Sequence, residues 1–526
     1  MEKRQRLLKS AGTVGLVTAL SRVFGYVRDA ALAWALGATL SMDVFTVAYR
    51  LVNLFRRLVA EGAMSAAFVP VFVQYRQEHT QEELWNFARK FFYTLALTTS
   101  TIVLVEIIFA PIIVRVMAPG FIGVPGKLEL TILLTRLMAP YLVFVALTAL
   151  AIGVLNAFGY FAVPAFGPVF FNVAVIAAIF SSTYLTPNPV VGIAIGVVMG
   201  GILQFASQIP LLSEIGMRFK VGFSFHHPAI RKVGILLAPS IFGIGIVQIN
   251  VLVDSLMASL LREGSVSQIY YADRVMELVL GIFVVSLTTV ILPEMSQSAA
   301  EKNIGELKGT LLFSLRAVSF IAIPASIGLF LLSDPIVHIL FERGRFLSID
   351  TERTAVALAY YALGLYFTAA IRILVSAFYA VQDTKTPVKI AFVSLIVNAI
   401  LDWILMHPLK QGGLALSTSI TSALSFFLLL YMFQKRHGAV EWQAFRQSIT
   451  KICIASVVMG VFCLVSLRVF FKFDVHQPLS WKVIGLFGTI GLGIVVYLGI
   501  AMVLKMDELK VFTSLRGAQR RSNLES

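Results

Sequence analysis

Long apolar runs, separated by short polar breaks, follow one another along almost the whole chain. Most of them reach the roughly 20 residues that an α-helix needs to cross the hydrocarbon core of a membrane. Backbone in contact with lipid must satisfy its own hydrogen bonds, so each run is predicted to be a helix. We predict about fourteen spans, near residues 13–36, 43–75, 91–117, 130–155, 164–184, 190–212, 233–260, 268–295, 311–333, 355–380, 387–406, 413–433, 449–469 and 482–504.

The composition supports the same class of protein. Of 526 residues, 58% are hydrophobic and 13% are charged, whereas a soluble domain carries about 25% charged residues. The two cysteines, Cys453 and Cys463, fall in one apolar run, which argues against a disulfide framework or a cysteine zinc site. We therefore predict an all-α integral membrane protein.

The distribution of basic residues predicts the orientation. With a cytoplasmic amino terminus, the connections on that side carry most of the lysines and arginines. This asymmetry follows the positive-inside rule, so both termini are predicted to lie in the cytoplasm. The net charge of +15 is thereby explained by topology, and no nucleic-acid partner is predicted. The first span contains Arg22, Arg28 and Asp29, so it is interpreted as a retained helix rather than a signal peptide.

The chain also matches itself at an offset of 223 or 224 residues. The matched pairs are Arg50 and Arg274, Pro70 and Pro293, Pro111 and Pro335, Gly120 and Gly344, and Pro164 and Pro387. Each copy holds six predicted spans, an even number, so both copies cross the membrane in the same direction. Parallel repeats are typical of transporters with a substrate site between two lobes. We predict a first lobe at 1–222, a second lobe at 223–446, and two extra helices with a tail at 447–526.

Charged residues inside the predicted spans are concentrated in three of them. A basic residue at mid-bilayer costs about 2.5–3.5 kcal/mol on insertion scales, so such residues are candidates for function. In the second span, five of the polar residues fall on one helical stripe, with Arg56 beside it. The full set is Asp43, Arg50, Asn53, Arg56, Arg57 and Glu61 in the second span, Arg22, Arg28 and Asp29 in the first, and Asp273, Arg274 and Glu277 in the eighth.

These residues indicate a cavity lined by guanidinium groups, each partly neutralised by a carboxylate. The planar guanidinium suits bidentate recognition of phosphate or carboxylate, so the predicted substrate is polar and anionic. The alternative is a set of interhelical ion pairs and topology anchors near helix ends. The sequence has neither a P-loop nor a recognisable nucleophile–base pair, so we predict a transporter that ATP does not drive directly, and not an enzyme.

Several motifs resemble the signatures of one transporter family. They are Ser21-Arg22-Val23-Phe24-Gly25 with Arg28-Asp29, Asn53-Leu54-Phe55-Arg56-Arg57 with Glu61-Gly62, Ala118-Pro119-Gly120-Phe121, Tyr270-Tyr271-Ala272-Asp273-Arg274, and Gln382-Asp383-Thr384-Lys385-Thr386-Pro387. In this order they resemble the lipid II flippase family, MurJ (MviN), from about residue 7 to about residue 505.

The resemblance implies a fourteen-helix member of the multidrug/oligosaccharidyl-lipid/polysaccharide exporter superfamily. It implies two six-helix lobes and two extra helices whose groove accommodates a polyprenyl tail. The implied cargo is lipid II, an undecaprenyl diphosphate bearing a disaccharide-pentapeptide. Alternating access would move it to the outer leaflet of the bacterial inner membrane. The implied partners are lipid II, membrane lipids and the peptidoglycan synthesis machinery.

Motif positions also nominate site residues. The resemblance implies headgroup binding by Arg22, Arg28, Arg56 and Arg274. The predicted substrate-binding set is completed by Ser21, Arg50, Asn53 and Arg57. The supporting carboxylates are predicted to be Asp29, Asp43, Glu61 and Asp273. At position 50 the chain has arginine where relatives often have lysine, which keeps the charge but alters its geometry.

A second constellation indicates a coupling ion. Asp254 lies inside the seventh span, and Asn398 and Asp402 share one face of the eleventh, with Thr418 on the twelfth. Two carboxylates, an amide oxygen and a hydroxyl form a hard-oxygen set suited to a small cation, and some family members resemble this arrangement with a sodium site. We predict Na⁺ as coupling ion and no other cofactor. Plain interhelical hydrogen bonding is the alternative.

Two rival functions stay open at this point. One is a cation-coupled exporter of drugs, or of another lipid-linked oligosaccharide, in the same superfamily. A drug exporter for cationic cargo would need a carboxylate-rich cavity, against the arginine excess of the first lobe. The other is a scaffold or a membrane-embedded polymerase or ligase, which the internal repeat disfavours.

Overall fold

The chain is described here from a computed structural model that covers residues 2–59, 63–219, 221–224, 227–440, 442–470 and 477–509. Within these ranges every regular element is helical. The helices are α1 (Glu2–Leu36), α2 (Leu40–Val59), α3 (Ala63–Glu78), α4 (Gln81–Met117), α5 (Lys127–Met138), α6 (Tyr141–Ala157), α7 (Ala162–Leu185), α8 (Pro189–Ala206), α9 (Ile209–Glu214), α10 (Pro228–Ser259), α11 (Ser265–Ala300), α12 (Ile304–Leu331), α13 (Ser333–Phe341), α14 (Ser348–Ala380), α15 (Lys385–Leu409), α16 (Gln411–His437), α17 (Trp442–Val465) and α18 (Leu479–Val503).

Ten helical segments in the described ranges are long and apolar enough to cross a membrane. The segment Lys127–Ala157 combines α5 with α6, and Pro189–Glu214 combines α8 with α9. Helix α2 carries four charged residues within 20 positions, which keeps it out of this apolar set. The predicted all-α membrane fold is confirmed, and the number fourteen stays a prediction.

The order of helices recurs along the chain. Helices begin at residues 81, 127, 162 and 189, and again at 304, 348, 385 and 411. Each later start lies 221 to 223 residues after its counterpart, close to the offset of the sequence matches. The starts of these helices therefore follow the same internal repeat as the matched prolines and glycines.

The chain forms two compact units. The first comprises residues 1–267 together with 343–347, and the second comprises 268–342 and 348–526. Helix α10 thus belongs to the first unit, and most of α11 belongs to the second. The predicted lobes at 1–222 and 223–446, and the helix pair at 447–526, stay a prediction.

In the first unit, one buried carboxylate joins three segments. Asp43 at the start of α2 is 1% exposed and pairs with Lys127 Nζ at 2.9 Å. Its oxygens also accept hydrogen bonds from the backbone of Gly264 at 2.8 Å and of Ser267 at 3.0 Å. The Ser267 hydroxyl donates to it as well, at 2.9 Å. Because four donors surround it, this carboxylate is satisfied without water.

Two contacts near the start of α2 join residues that are equivalent in the repeat. Asp43 and Ser267 lie 224 positions apart, and the Leu40 amide donates at 2.8 Å to the carboxylate of Glu263, 223 positions later. Both separations equal the repeat offset. The start of α2 therefore meets the segment that corresponds to it in the second copy.

Gly120 and Gly344, which are a matched pair of the repeat, each lie close to the backbone near the end of a helix in the first unit. A Cβ on Gly120 would lie 2.0 Å from the carbonyl oxygen of Ser259, at the end of α10. A Cβ on Gly344 would lie 2.4 Å from the carbonyl oxygen of Trp34, near the end of α1. The Arg345 amide donates to the same Trp34 oxygen at 3.0 Å. Only glycine allows the backbones to approach so closely.

Helices α7 and α8 pack through glycines that lie on one face of α8. A Cβ on Gly192 would lie 2.1 Å from the Ser182 hydroxyl, and one on Gly196 would lie 2.1 Å from the Ala178 Cβ. Small residues at such spacing let helix backbones approach in lipid. These glycines therefore allow α7 and α8 to pack in close contact.

A proline in α4 frees a carbonyl that α5 then binds. Pro111 has no N–H, so the carbonyl of Ile107, four residues earlier, lacks its usual helical donor. Arg136 of α5 donates to that oxygen through Nε at 3.0 Å. This hydrogen bond fixes α5 beside α4 at the level of residue 107.

In the second unit, the motif that precedes α15 is a structural cap. Asp383 accepts hydrogen bonds from the Thr386 amide at 3.1 Å and from its hydroxyl at 2.7 Å, and it pairs with Arg436 of α16. Partial burial alone would raise the pKa of Asp383, but these hydrogen bonds and the Arg436 charge outweigh it and lower the pKa. The motif therefore anchors α15 to α16.

The last two helices pack against α12 in the same unit. Tyr497 of α18 donates its hydroxyl to the Phe320 carbonyl at 2.8 Å. Beyond α18, Glu508 binds Arg316 Nε and the Ser448 hydroxyl, both at 2.6 Å. Helix α17 is thereby held to α12 through a buried carboxylate.

We expect Asp43→Asn and Lys127→Met each to lower the free energy of unfolding by about 3–5 kcal/mol, because each leaves a buried polar partner uncompensated. The double variant should lose less than the sum of the two. Denaturant titration in detergent micelles measures all three. Additive single effects would contradict the pairing.

Gly120→Ala should lower the free energy of unfolding by about 1–3 kcal/mol, because its Cβ collides with the backbone of α10. Gly123→Ala in the same loop is the matched control, since a Cβ there meets nothing within 4 Å. The control should stay within about 0.5 kcal/mol of the parent protein. Equal losses in both variants would contradict the close approach.

Candidate functional site

Arg28 of α1 is held by two neighbours in the first unit. Arg28 donates through Nε and Nη2 to Asp29 Oδ1, at 3.0 and 2.8 Å. Its Nη1 donates to Asn172 Oδ1 of α7 at 3.0 Å. The two side chains of the ion pair are 13% and 8% exposed. The guanidinium is therefore oriented and partly neutralised, as the sequence predicts for Arg28 and Asp29.

Asn172 also contacts Ser21, another of the predicted site residues on α1. Its Nδ2 donates to the backbone carbonyl of Ser21 at 3.3 Å, so one amide spans two turns of α1. Arg22 itself is exposed. Asn172 is not among the predicted site residues, although a single amide in an apolar run is a signal for one.

Helix α2 presents a half-buried group of polar residues. Arg50 donates through Nη1 to the Ser255 hydroxyl of α10 at 2.5 Å. Arg56 donates through Nε to Asn53 Oδ1 at 2.6 Å, and Arg57 is half-buried beside them. Glu61 lies outside the described residues.

Asp43 has a different use from the one predicted. In the described part of the chain its contacts are Lys127, Gly264 and Ser267, and none of them is an arginine. Lys127 is 4% exposed and its Nζ lies 4.1 Å from the centre of the Phe121 ring. Lys127 is not among the predicted site residues, although it stands directly before an apolar run.

In the second unit, Arg274 of α11 contacts Glu277 and Tyr270. Its Nη1 pairs with Glu277 Oε2 at 2.6 Å, and its guanidinium carbon lies 4.9 Å from the centre of the Tyr270 ring. The Arg274 side chain is 24% exposed, and Asp273 beside it is half-buried. A cation–π contact of this kind orients the guanidinium plane.

The predicted sodium residues fall into both units. Asp254 is half-buried on α10 of the first unit. In the second unit, Asn398 donates to Asp402 Oδ2 at 2.9 Å, and the two residues are 1% and 0% exposed. Among the residues that the structure describes, no three His, Cys, Asp or Glu side chains gather as metal ligands.

The hydroxyls beside Asn398 differ from the predicted one. Ser417 and Thr421 of α16 donate to Asn398 Oδ1 at 3.1 and 3.0 Å. The Thr418 hydroxyl donates instead to the carbonyl of Leu414 in its own helix, at 3.0 Å. The described contacts are thus an interhelical hydrogen-bond network, and the sodium site stays a prediction.

Together these contacts place guanidinium groups on α1, α2 and α11, each beside an oxygen acceptor. Arg28 contacts both Asp29 and Asn172, Arg56 contacts Asn53, and Arg274 contacts Glu277. Oriented guanidiniums of this kind can bind phosphate oxygens. That they line one shared cavity stays a prediction.

Comparison with known proteins agrees with this picture. The family described as "Lipid II flippase MurJ" matches residues 32–483. The chain is 35% identical over 524 residues to a "Probable lipid II flippase MurJ" of Vibrio cholerae, which covers 97% of this chain and 98% of the relative. It is 36% identical over 437 residues to a "Lipid II flippase MurJ" of Burkholderia cenocepacia, with 82% and 84% covered.

Solved structures show the same relationship. The structure "Lipid II flippase MurJ, inward closed conformation" matches with a TM-score of 0.79 and 28% identity, over 94% of this chain and 99% of that one. An inward-facing multidrug resistance MATE transporter of the MOP superfamily matches with a TM-score of 0.69 over 80% and 96% of the chains. At 14% identity, the second match shows the fold alone. We therefore conclude that this chain belongs to the MurJ family of lipid II flippases, whose members are membrane transporters rather than enzymes.

Proposed function

We propose that this protein carries lipid II, an undecaprenyl diphosphate-linked disaccharide-pentapeptide, from the cytoplasmic to the outer leaflet of a bacterial inner membrane. The cargo is that named for its relatives of 35% and 36% identity. Both termini lie in the cytoplasm in this proposal, as the distribution of basic residues indicates. The apolar tail stays in lipid beside α17 and α18, whose outward faces carry exposed Val457, Val461, Phe487 and Val495.

The observation that carries the proposal is that two arginines are held in a fixed orientation and remain partly exposed. Arg28 and Arg274 are each held by a carboxylate and a second neighbour, and their side chains are 13% and 24% exposed. A guanidinium that is fixed in plane and still accessible is suited to a diphosphate, which offers several oxygens to a planar fork. Ser21, Arg22, Arg50, Asn53, Arg56 and Arg57 complete the proposed headgroup site.

Alternating access would open this site to the two sides of the membrane in turn. In the proposal, the cavity opens to the cytoplasm, binds the headgroup, and then opens to the outer side while the tail moves through lipid. The substrate can shift the balance of the two states only by the difference in its affinity for them. Paired carboxylates such as Asp29 lower that affinity, which favours release.

The charge of the site argues against a drug exporter. A site for cationic drugs would place carboxylates without arginine partners in the cavity, since each unpaired guanidinium repels a cation. In this chain, Asp29 lies against Arg28 and Glu277 lies against Arg274. The MATE likeness shows the shared fold.

Depletion of the protein in cells should reduce the lipid II exposed on the outer leaflet, measured by extracellular labelling. Wild type should restore exposure, whereas Arg28→Ala and Arg274→Ala should not. Each loses hydrogen bonds to a charged group, which weakens diphosphate binding about tenfold or more. Arg218→Ala is the matched control, because Arg218 is exposed outside the proposed site.

Protein levels and melting temperatures of all variants should be compared, because Arg28→Ala also leaves Asp29 without its ion pair. Arg28→Lys keeps the positive charge but lacks the planar guanidinium. It should therefore restore the melting temperature but not the amount of lipid II exposed on the outer leaflet. Undiminished exposure after depletion, in cells with no second flippase, would refute the proposed function.

For the coupling ion, we propose Na⁺ bound near Asp254, Asn398, Asp402 and Thr418. A fully buried carboxylate such as Asp402 is costly at membrane depth, and a cation beside it offsets that cost. Asn398 and Asp402 fit such a site in chemistry and burial. The Thr418 hydroxyl would have to leave Leu414, or Ser417 and Thr421 would serve in its place.

Sodium should stabilise the purified wild type against heat relative to potassium, by about 2.7 kcal/mol at a hundredfold excess over Kd. Asp402→Asn should abolish this difference. Asp507→Asn, which changes a carboxylate that is 66% exposed in the same unit, should preserve it. Equal melting temperatures of the wild type in the two salts would argue for hydrogen bonding alone.

A further inference from the structure

Glu106 of α4 is a buried carboxyl group that neither the headgroup site nor the sodium site uses. It is 2% exposed. Neither of its two oxygens has a hydrogen-bond partner in the described residues, and no ion pair reaches it. Buried polar side chains almost always have a partner, so a carboxyl in this state requires a physical explanation.

The position of Glu106 on its helix rules out contact with lipid as that explanation. One face of α4 is buried against the first unit, and Glu106 belongs to it, one turn from Val103 and Ala110. The opposite face carries Leu104, Ile108 and Ile112, which are 57–58% exposed. Glu106 therefore points into the protein, in a row of small and apolar residues.

Glu106 also lies near the middle of the predicted membrane span 91–117. It precedes the end of α4 at Met117 by eleven residues, or about 16 Å of helix. The hydrocarbon core is about 30 Å thick, so this depth is near its middle. An ionised carboxylate there would be unfavourable without a counter-ion.

Among the described residues, the helices packed against α4 supply no counter-ion to Glu106. These are α2, α3, α5, α6 and α10, together with the turn at Pro119–Phe121. Helix α6 and the turn carry no charged residue. None of the charged or titratable groups on the others forms an ion pair or hydrogen bond with Glu106 within the described ranges. They are Asp43, Tyr49, Arg50, Arg56, Arg57, Tyr75, Arg76, Glu78, Lys127, Glu129, Arg136, Arg231, Lys232 and Asp254, with Tyr141 on α6.

The neighbouring helix α5 provides polar atoms at the same level. Arg136 is fixed to the carbonyl of Ile107, the residue after Glu106. Thr135, next to it, is fully buried, and its hydroxyl has no hydrogen-bond partner among the described residues. A hydroxyl can both donate and accept, so it can pass on a proton.

We propose that Glu106 is a proton-binding site. Its carboxyl is protonated in the described conformation and releases the proton in a conformation in which water enters between α4 and α5. The step forms one O–H bond from a carboxylate and a solvent proton, and the same bond breaks on release, without electron transfer. The use of this proton to drive transport rests on the proposed flippase function.

The protonation state can be tested without any transport assay. Infrared spectra of the purified protein in lipid should show a protonated carboxyl C=O band that shifts in D₂O and is lost in Glu106→Gln. Glu129→Gln, which makes the same change at an exposed carboxyl of α5, should leave this band unchanged. Glu106→Gln should keep the wild-type melting temperature, because the carboxamide matches the neutral acid in size and charge. No difference in the carboxyl region between wild type and Glu106→Gln would overturn the proposal.

Release can be tested in vesicles that contain lipid II and a pH gradient. One proton per cycle across one pH unit biases the distribution between leaflets by up to about tenfold. Wild type and Glu129→Gln should follow the gradient, and Glu106→Gln should not. An undiminished response in Glu106→Gln would overturn the coupling. Absence of transport in the wild type would count against the flippase function, and the infrared result would still decide the proton site.

Discussion

A charge that is buried away from water has to be neutralised where it lies, because no solvent is present to stabilise it. The rest of this structure depends on that constraint. Asp43 and Lys127 satisfy it completely, since they are 1% and 4% exposed and the carboxylate has further donors from Gly264 and Ser267. Arg28 of α1 and Arg274 of α11 satisfy it only in part, and their side chains stay partly exposed. In the proposed function, exposure thus separates the charges that hold the fold from those that bind the substrate.

Much of the architecture could be predicted, because the length of an apolar run is a local property of the sequence. In the described ranges the predicted spans fall on helices, but three of them, 43–75, 130–155 and 190–212, each cover two helices. Where the run at 130–155 is two helices, the reason is also local, since Pro140 follows the end of α5 and cannot continue it. The glycine face of α8 was predictable for the same reason, because the spacing of small residues is fixed by the helical period.

The partners of the charged residues could not be predicted in the same way. Helical periodicity tells which residues share a face, but not what that face meets. Asn172 lies 144 residues from Arg28, and Lys127 lies 84 residues from Asp43. The hydroxyls near Asn398 show a smaller failure of the same kind. Ser417 and Thr421 are four residues apart and share a face of α16, whereas Thr418 is turned about 100° from Ser417.

The contacts at the start of α2 have a consequence for the history of such a chain. Asp43 touches Ser267, and the Leu40 amide touches Glu263, and in both pairs one residue is the counterpart of the other. Had two identical half-length chains assembled through these positions, each side chain would have faced its own copy, and carboxylate would have met carboxylate. Fusion into a single polypeptide removes that symmetry requirement. One copy can then hold the acid while the other evolves the donor.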